Sequence, residues 1–132
     1  MTQSAQLIPP HGRYLRQLEG GDFSLQANTE QTPQPGRYYV IVAGRVVCES
    51  DDFALMDAEY RRYCRRFWEE RLRSPNPAVR LSSAWGLLGQ DPEHRAARAV
   101  ILRDGSERDQ KRLQQLRHRH YAQQRAAAAA SR

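Results

Sequence analysis

The sequence predicts an α+β protein: a three-stranded antiparallel sheet, made of one strand and then a β-hairpin, backed by an amphipathic helix and followed by three C-terminal helices. Three observations carry this. Apolar and polar residues alternate over positions 22–28, two β-rich runs flank Gly44, and beyond Asp51 the apolar spacing lengthens from two residues to between three and five. The 132 residues suit one domain, and 39% hydrophobic with 27% charged content is the balance of a folded chain.

In the first strand Phe23, Leu25 and Ala27 fall to one side and Ser24, Gln26 and Asn28 to the other. A turn-rich linker over 29–36, with Pro33 and Pro35, leads to the run RYYVIVA at 37–43 and then to 46–49. Gly44-Arg45 between them predicts a type II′ hairpin, because Gly44 tolerates the positive φ of the first turn position.

Over 51–73, Phe53, Met56, Tyr60, Tyr63, Cys64, Phe67 and Leu72 recur at helical spacing, leaving Arg61, Arg62, Arg65, Arg66, Glu69 and Glu70 largely elsewhere. Ser50 is placed to cap this helix of about six turns, and Ser74-Pro75-Asn76-Pro77 stops it. An isolated hairpin is not stable in water, so the helix is expected to cover the sheet, with Phe67 and Trp68 supplying large apolar area. The aromatics beside the arginines of this helix are expected as core rather than as a base-stacking surface.

Asn76 as cap and Pro77 at the first helical position begin a second helix ending at Gly89, with Leu81, Ala84, Trp85 and Leu88 on one face. Asp91-Pro92 is expected to begin a third, running through Ala96, Val100 and Ile101 to Gly105. Ser106 opens the fourth, with Asp109 at a capping-box position. The stretch over 77–89, with its Val-Arg, small residues and Leu-Gly ending, is similar to the first helix of a HEAT repeat. A single copy makes no solenoid, so the resemblance supports a helix here and implies no function. Residues 1–17 are expected as a flexible N-terminal segment, 18–105 as the α+β domain, and 106–132 as a basic helix with an Ala-rich end.

The formal charge of +6 is local. Segments 1–45, 46–75, 76–110 and 111–132 sum to +1, −1, 0 and +6, so the last helix carries the whole excess. At about 100° per residue, Lys111, His118 and Arg125 form one row, and Arg112 and Arg119 a second row roughly a quarter-turn away. Leu113, Leu116 and His120 lie across from them on a stripe wide enough to dock only the first turns. A cationic helix without acids gains from an anionic partner through counterion release. Nucleic acid bound by Lys111, Arg112, His118, Arg119 and Arg125 is therefore the favoured function, with an acidic protein surface as the other partner the helix suits; the alternative function is a protein-assembly or adaptor subunit that uses the sheet edge or the helical half. A solvated helix end would show the same charge. On this reading, removing everything after Asp109 abolishes binding and leaves the thermal melt nearly unchanged.

Arg112 and His118, spaced R-x5-H on a helix, are similar to the Arg and His of HEPN-type nucleases, a resemblance that implies phosphate polarisation and proton transfer in RNA cleavage. That family is all-helical, and the β-rich front departs from it, so a non-enzymatic accessory role is preferred. No cofactor is implied. His118 and His120 lie about 200° apart and lack the i, i+4 spacing of helical metal ligands; together with the isolated His11 and His94 they are expected as surface or capping histidines, with no metal site. Cys48 and Cys64 are expected as buried free thiols. No run reaches the roughly 18–20 apolar residues of a membrane span, and no leader pattern opens the chain, so no membrane insertion and a cytoplasmic location are expected.

Overall fold

Residues 12–18, 23–29 and 35–131 are described by the structure, a computed structural model. The chain is α+β and divides into two compact units, Met1–Cys64 and Arg65–Arg132, with the division falling inside the first helix. His11 and Asp22 lie outside the described residues.

The first unit holds four strands, β1 (Arg13–Gln17), β2 (Phe23–Ala27), β3 (Tyr38–Val42) and β4 (Arg45–Ser50), and the first turns of α1 (Phe53–Arg71). The sheet is antiparallel in the order β1-β2-β3-β4, so it has four strands where the sequence predicts three. The added strand, RYLRQ, lies in the segment expected to be flexible, and four of its five residues are exposed. It is held by backbone pairing to β2, which leaves no apolar period to read.

The hairpin also differs from expectation. Val42 pairs with Arg45, so the turn is Ala43-Gly44. With φ of 51° and 80° at these residues both central positions are left-handed, which is type I′ rather than II′ over Gly44-Arg45. Pairing that persists through Arg45 moves the turn back by one residue and forces Ala43 into a region glycine or asparagine tolerates better. Val40 pairs with Cys48 but Ile41 with Val46, so Val47 is a bulge; β1 is irregular at Leu15. Both edge strands thus interrupt the ladder that an incoming strand would extend.

One face of the sheet carries Leu25, Val40 and Cys48, and the first part of α1 covers it. Met56, Tyr60 and Cys64 are buried, Tyr63 meets Phe23 with ring centroids 6.3 Å apart, and Phe53 meets Tyr38 edge-on at 5.4 Å. Full burial of a side chain such as Leu25 or Met56 contributes about 1.5–3 kcal/mol. Arg16 on β1 pairs with Asp57 of α1, which also accepts from Arg61 at 3.1 Å. The opposite face buries Ile41 beside a polar row: Tyr39 donates its hydroxyl hydrogen to Gln26 Oε1 at 3.1 Å, and Gln26 Nε2 donates to Ser24 Oγ at 3.0 Å. Gly12 passes so close to this row that a Cβ there would overlap the Tyr39 hydroxyl.

α1 starts at Phe53 because Asp52, rather than Ser50, caps it: Leu55 N–H donates to Asp52 Oδ1 at 3.2 Å, while Ser50 Oγ accepts from Asp52 N–H at 3.0 Å in the preceding turn. Its 19 residues make about five turns. Both cysteines are free, as expected; Cys64 is buried and Cys48 half-buried. Burial raises both thiols above their ordinary range, and burial likewise raises the Tyr60 hydroxyl, which hydrogen-bonds Cys64.

The second unit contains the end of α1 and α2 (Pro77–Gln90), α3 (Arg95–Asp104) and α4 (Glu107–Ala130), the three C-terminal helices expected. Ala84, Leu87, Leu88, Ala97, Val100, Ile101 and Leu113 form its core, with Trp68, Leu72, Leu81, Trp85 and Leu116 packed against it. Trp68, expected to cover the sheet, belongs to this helical core, where a Cβ at Gly86 would run into its indole. Asn76 caps α2 through Ala78 N–H as expected. α3 begins at Arg95 rather than at Asp91-Pro92, because Asp91 Oδ1 accepts from Glu93 N–H in a turn and His94 supplies the cap. Arg80 at the start of α2 pairs with Asp104 at the end of α3 at 2.9 Å. Among the described residues no helix is long and apolar enough to cross a membrane.

Candidate nucleic-acid interface

All five cationic positions singled out from the sequence lie on α4. Its start is strongly specified: Ser106 Oγ accepts from Asp109 N–H while Asp109 accepts from Ser106 N–H, the reciprocal capping box. That backbone hydrogen bond holds the Asp109 carboxyl below its ordinary value. Glu107 and Asp109 place both acids of the helix in its first turn, at the positive end of its dipole. From Gln110 to the end the helix carries cations and no acid.

Docking is confined to the first half. Leu113 is buried, and Leu116, Arg117 and His120 are half-buried beside it. His120 Nε2 lies 3.6 Å from Glu93 Oε2. Every described residue from Tyr121 onward is exposed. The narrow stripe expected from the sequence is thus what α4 buries, and a Leu113 that is 3% exposed corrects one expectation: cutting after Asp109 removes part of the core along with the cations.

Lys111, Arg112, His118, Arg119 and Arg125 are all exposed. Among the described residues, no carboxylate lies within the 4.0 Å ion-pair limit of Lys111, Arg112, Arg119 or Arg125. Three of the five arginines of α1, Arg61, Arg62 and Arg65, are each bound to an acid of the same helix. Arg112 differs from its row partner Arg119 in having a partner of another kind: its guanidinium stacks over the Trp85 ring of α2 at 4.0 Å. It therefore ties α4 to α2 as well as contributing charge. Nothing local in the sequence joins residues 85 and 112, and the periodicity misses the pair.

His118 lies in a shallow groove of about 270 Å³ with Gln114, Arg117 and Tyr121. Arg117, half-buried and absent from the sequence-derived rows, is the cation nearest to it in that groove. Six residues of helix rotate Arg112 about 120° away from His118, so the R-x5-H pair points to different sides of α4. His94 proves to be a capping histidine, His118 is exposed and His120 is half-buried beside Glu93. Among the described residues, no three His, Cys, Asp or Glu side chains converge on a metal position.

Comparison of the chain with protein-family models, with curated proteins and with solved structures finds no match.

Proposed function

We propose that this chain is a small non-enzymatic accessory protein of the cytoplasm that binds nucleic acid through α4. One observation supports the reading above others: uncompensated cations occupy a helix whose second half, ten residues and more, buries nothing. A helix kept only for packing would end near His120. Lys111 and Arg125 are separated by about 21 Å of helix axis, the length of about six base-pair steps. Arg119 adds charge on a second row, so the cations flank a backbone rather than converge on one point. Phosphate contacts of this kind position a protein without reading sequence.

The test uses the full chain and a variant with Lys111→Gln, Arg119→Gln and Arg125→Gln, none of which is in the core. Affinity for a fluorescent single-stranded RNA and for duplex DNA is measured across a salt series. Each lost phosphate contact should flatten the log–log salt slope by about 0.7 on single strands and about 0.9 on duplex. A variant that binds as tightly as the parent, at every salt, would overturn the proposal. Recovery of an acidic protein and no nucleic acid from the host at both low and high salt would do the same.

A further inference from the structure

At one end of the sheet, within the first unit, a cleft of about 450 Å³ opens beside the first residue of α1. Its volume lies within the range of small-molecule sites. Arg13 of β1 and Arg37, just before β3, both line it, over a floor of Leu15 and Ala27 and the aromatic rings of Tyr38 and Phe53. The rings meet at 70° with centroids 5.4 Å apart, and Phe53 is left 39% exposed. A large ring at that exposure, beside a half-buried tyrosine, is a ready stacking surface.

The charge of this cleft is unusual for its layer. Arg16, three residues along β1, is neutralised by Asp57. Among the described residues neither Arg13 nor Arg37 has a carboxylate within 4.0 Å. Two described acids beside the cleft's residues are engaged with backbone: Asp51 Oδ1 accepts from Arg37 N–H at 2.9 Å, and Asp52 caps α1 through Leu55 N–H. The Arg37 guanidinium lies over the Tyr38 ring at 5.4 Å, and two guanidiniums lining one cleft offer forked donors to a dianion, which carboxylates supply less fully than a phosphate monoester of about −1.5 to −2 charge.

We propose that this cleft binds a nucleoside monophosphate, with the phosphate held between Arg13 and Arg37 and the base against the exposed ring of Phe53. Stacking of a base on an aromatic side chain and the paired guanidiniums act on opposite ends of such a ligand, so neither half alone binds well. The proposal does not rest on the reading of α4.

The experiment titrates the full chain calorimetrically with AMP, adenosine and inorganic phosphate. AMP should saturate, with adenosine and phosphate each weaker by about tenfold or more. Arg13→Gln with Arg37→Gln should weaken AMP by about tenfold or more, and Phe53→Leu should weaken AMP while leaving phosphate unchanged. Circular dichroism checks the fold of each variant. In the parent chain, NMR shifts on adding AMP should centre on Arg13, Arg37, Tyr38 and Phe53, a readout that needs no variant. The proposal is overturned if AMP fails to saturate by about 1 mM, if phosphate alone binds as tightly, if the double variant retains full AMP affinity, or if the shifts fall on α4 instead.

Discussion

His94 Nε2 lies 3.2 Å from Glu69 Oε2, across 25 positions of sequence, while Nδ1 of the same ring accepts from Ala97 N–H at 3.2 Å. The second contact determines the form of the first. An Nδ1 that accepts carries no hydrogen, so the ring is the neutral tautomer with its proton on Nε2, donated to Glu69. One side chain thereby caps α3 and ties it to the end of α1.

His94→Ala should therefore destabilise the protein by about 1 kcal/mol for the cap alone. His94→Asn should restore the cap without the link to Glu69. Donation from His94, foremost, and from Arg65 holds the Glu69 carboxyl below its ordinary 4.5. A depressed folded value means that this stabilisation is fully present above about pH 4.5 and is lost as pH falls through the lower folded value. Thermal melts between neutral pH and pH 3 should show an acid-dependent loss in the parent that is smaller in Glu69→Gln.

Gly86 sits inside α2, where alanine would ordinarily gain about 1 kcal/mol in helix propensity. Here the gain is outweighed, because a Cβ would occupy the space of the Trp68 indole. Gly86→Ala should cost about 1–3 kcal/mol in urea unfolding. In a Trp68→Leu background the same substitution should cost measurably less, and equal costs in both backgrounds would remove Trp68 as the cause.

Ala43 adopts φ of 51° ahead of Gly44 in the type I′ turn. Ala43→Asn creates the preferred Asn-Gly pair and should raise stability by about 0.5–1 kcal/mol, read as a higher denaturant midpoint with an unchanged slope.

The cations of α4 should separate by role. Arg112→Ala should lower stability by about 0.5–1 kcal/mol through loss of its stack on Trp85, whereas Arg119→Ala and Arg125→Ala should stay within about 0.5 kcal/mol of the parent. Leu113→Ala should cost about 2–5 kcal/mol, showing that the start of α4 is structural. A chain ending at Tyr121 should then fold, and one ending at Asp109 should melt earlier.

Helix positions were readable because their signals are local. Asn76 with Pro77, and Ser106 with Asp109, act over one turn, and the apolar spacing of α1 and α2 repeats within each helix. The row of Lys111, His118 and Arg125 follows from the helical period in the same way, and all three are exposed on α4. Misplaced boundaries share a cause. At Ser50 against Asp52, and at Asp91 against His94, two neighbouring polar residues compete for one cap, and the geometry of the incoming chain chooses between them.

By itself, the sequence determined the α+β class, the hairpin around Gly44, four amphipathic or capped helices and the confinement of net charge to the last of them. Those are properties of composition and short-range periodicity. Tertiary structure alone decided that β1 joins the sheet, that the turn uses Ala43, that Trp68 packs beside Gly86, and that Arg112 rests on Trp85. The reason is physical: three of these are contacts between residues distant in sequence and the turn is set by strand register, all chosen by backbone pairing or by the shape of space left between helices, and neither has a period that a linear chain displays.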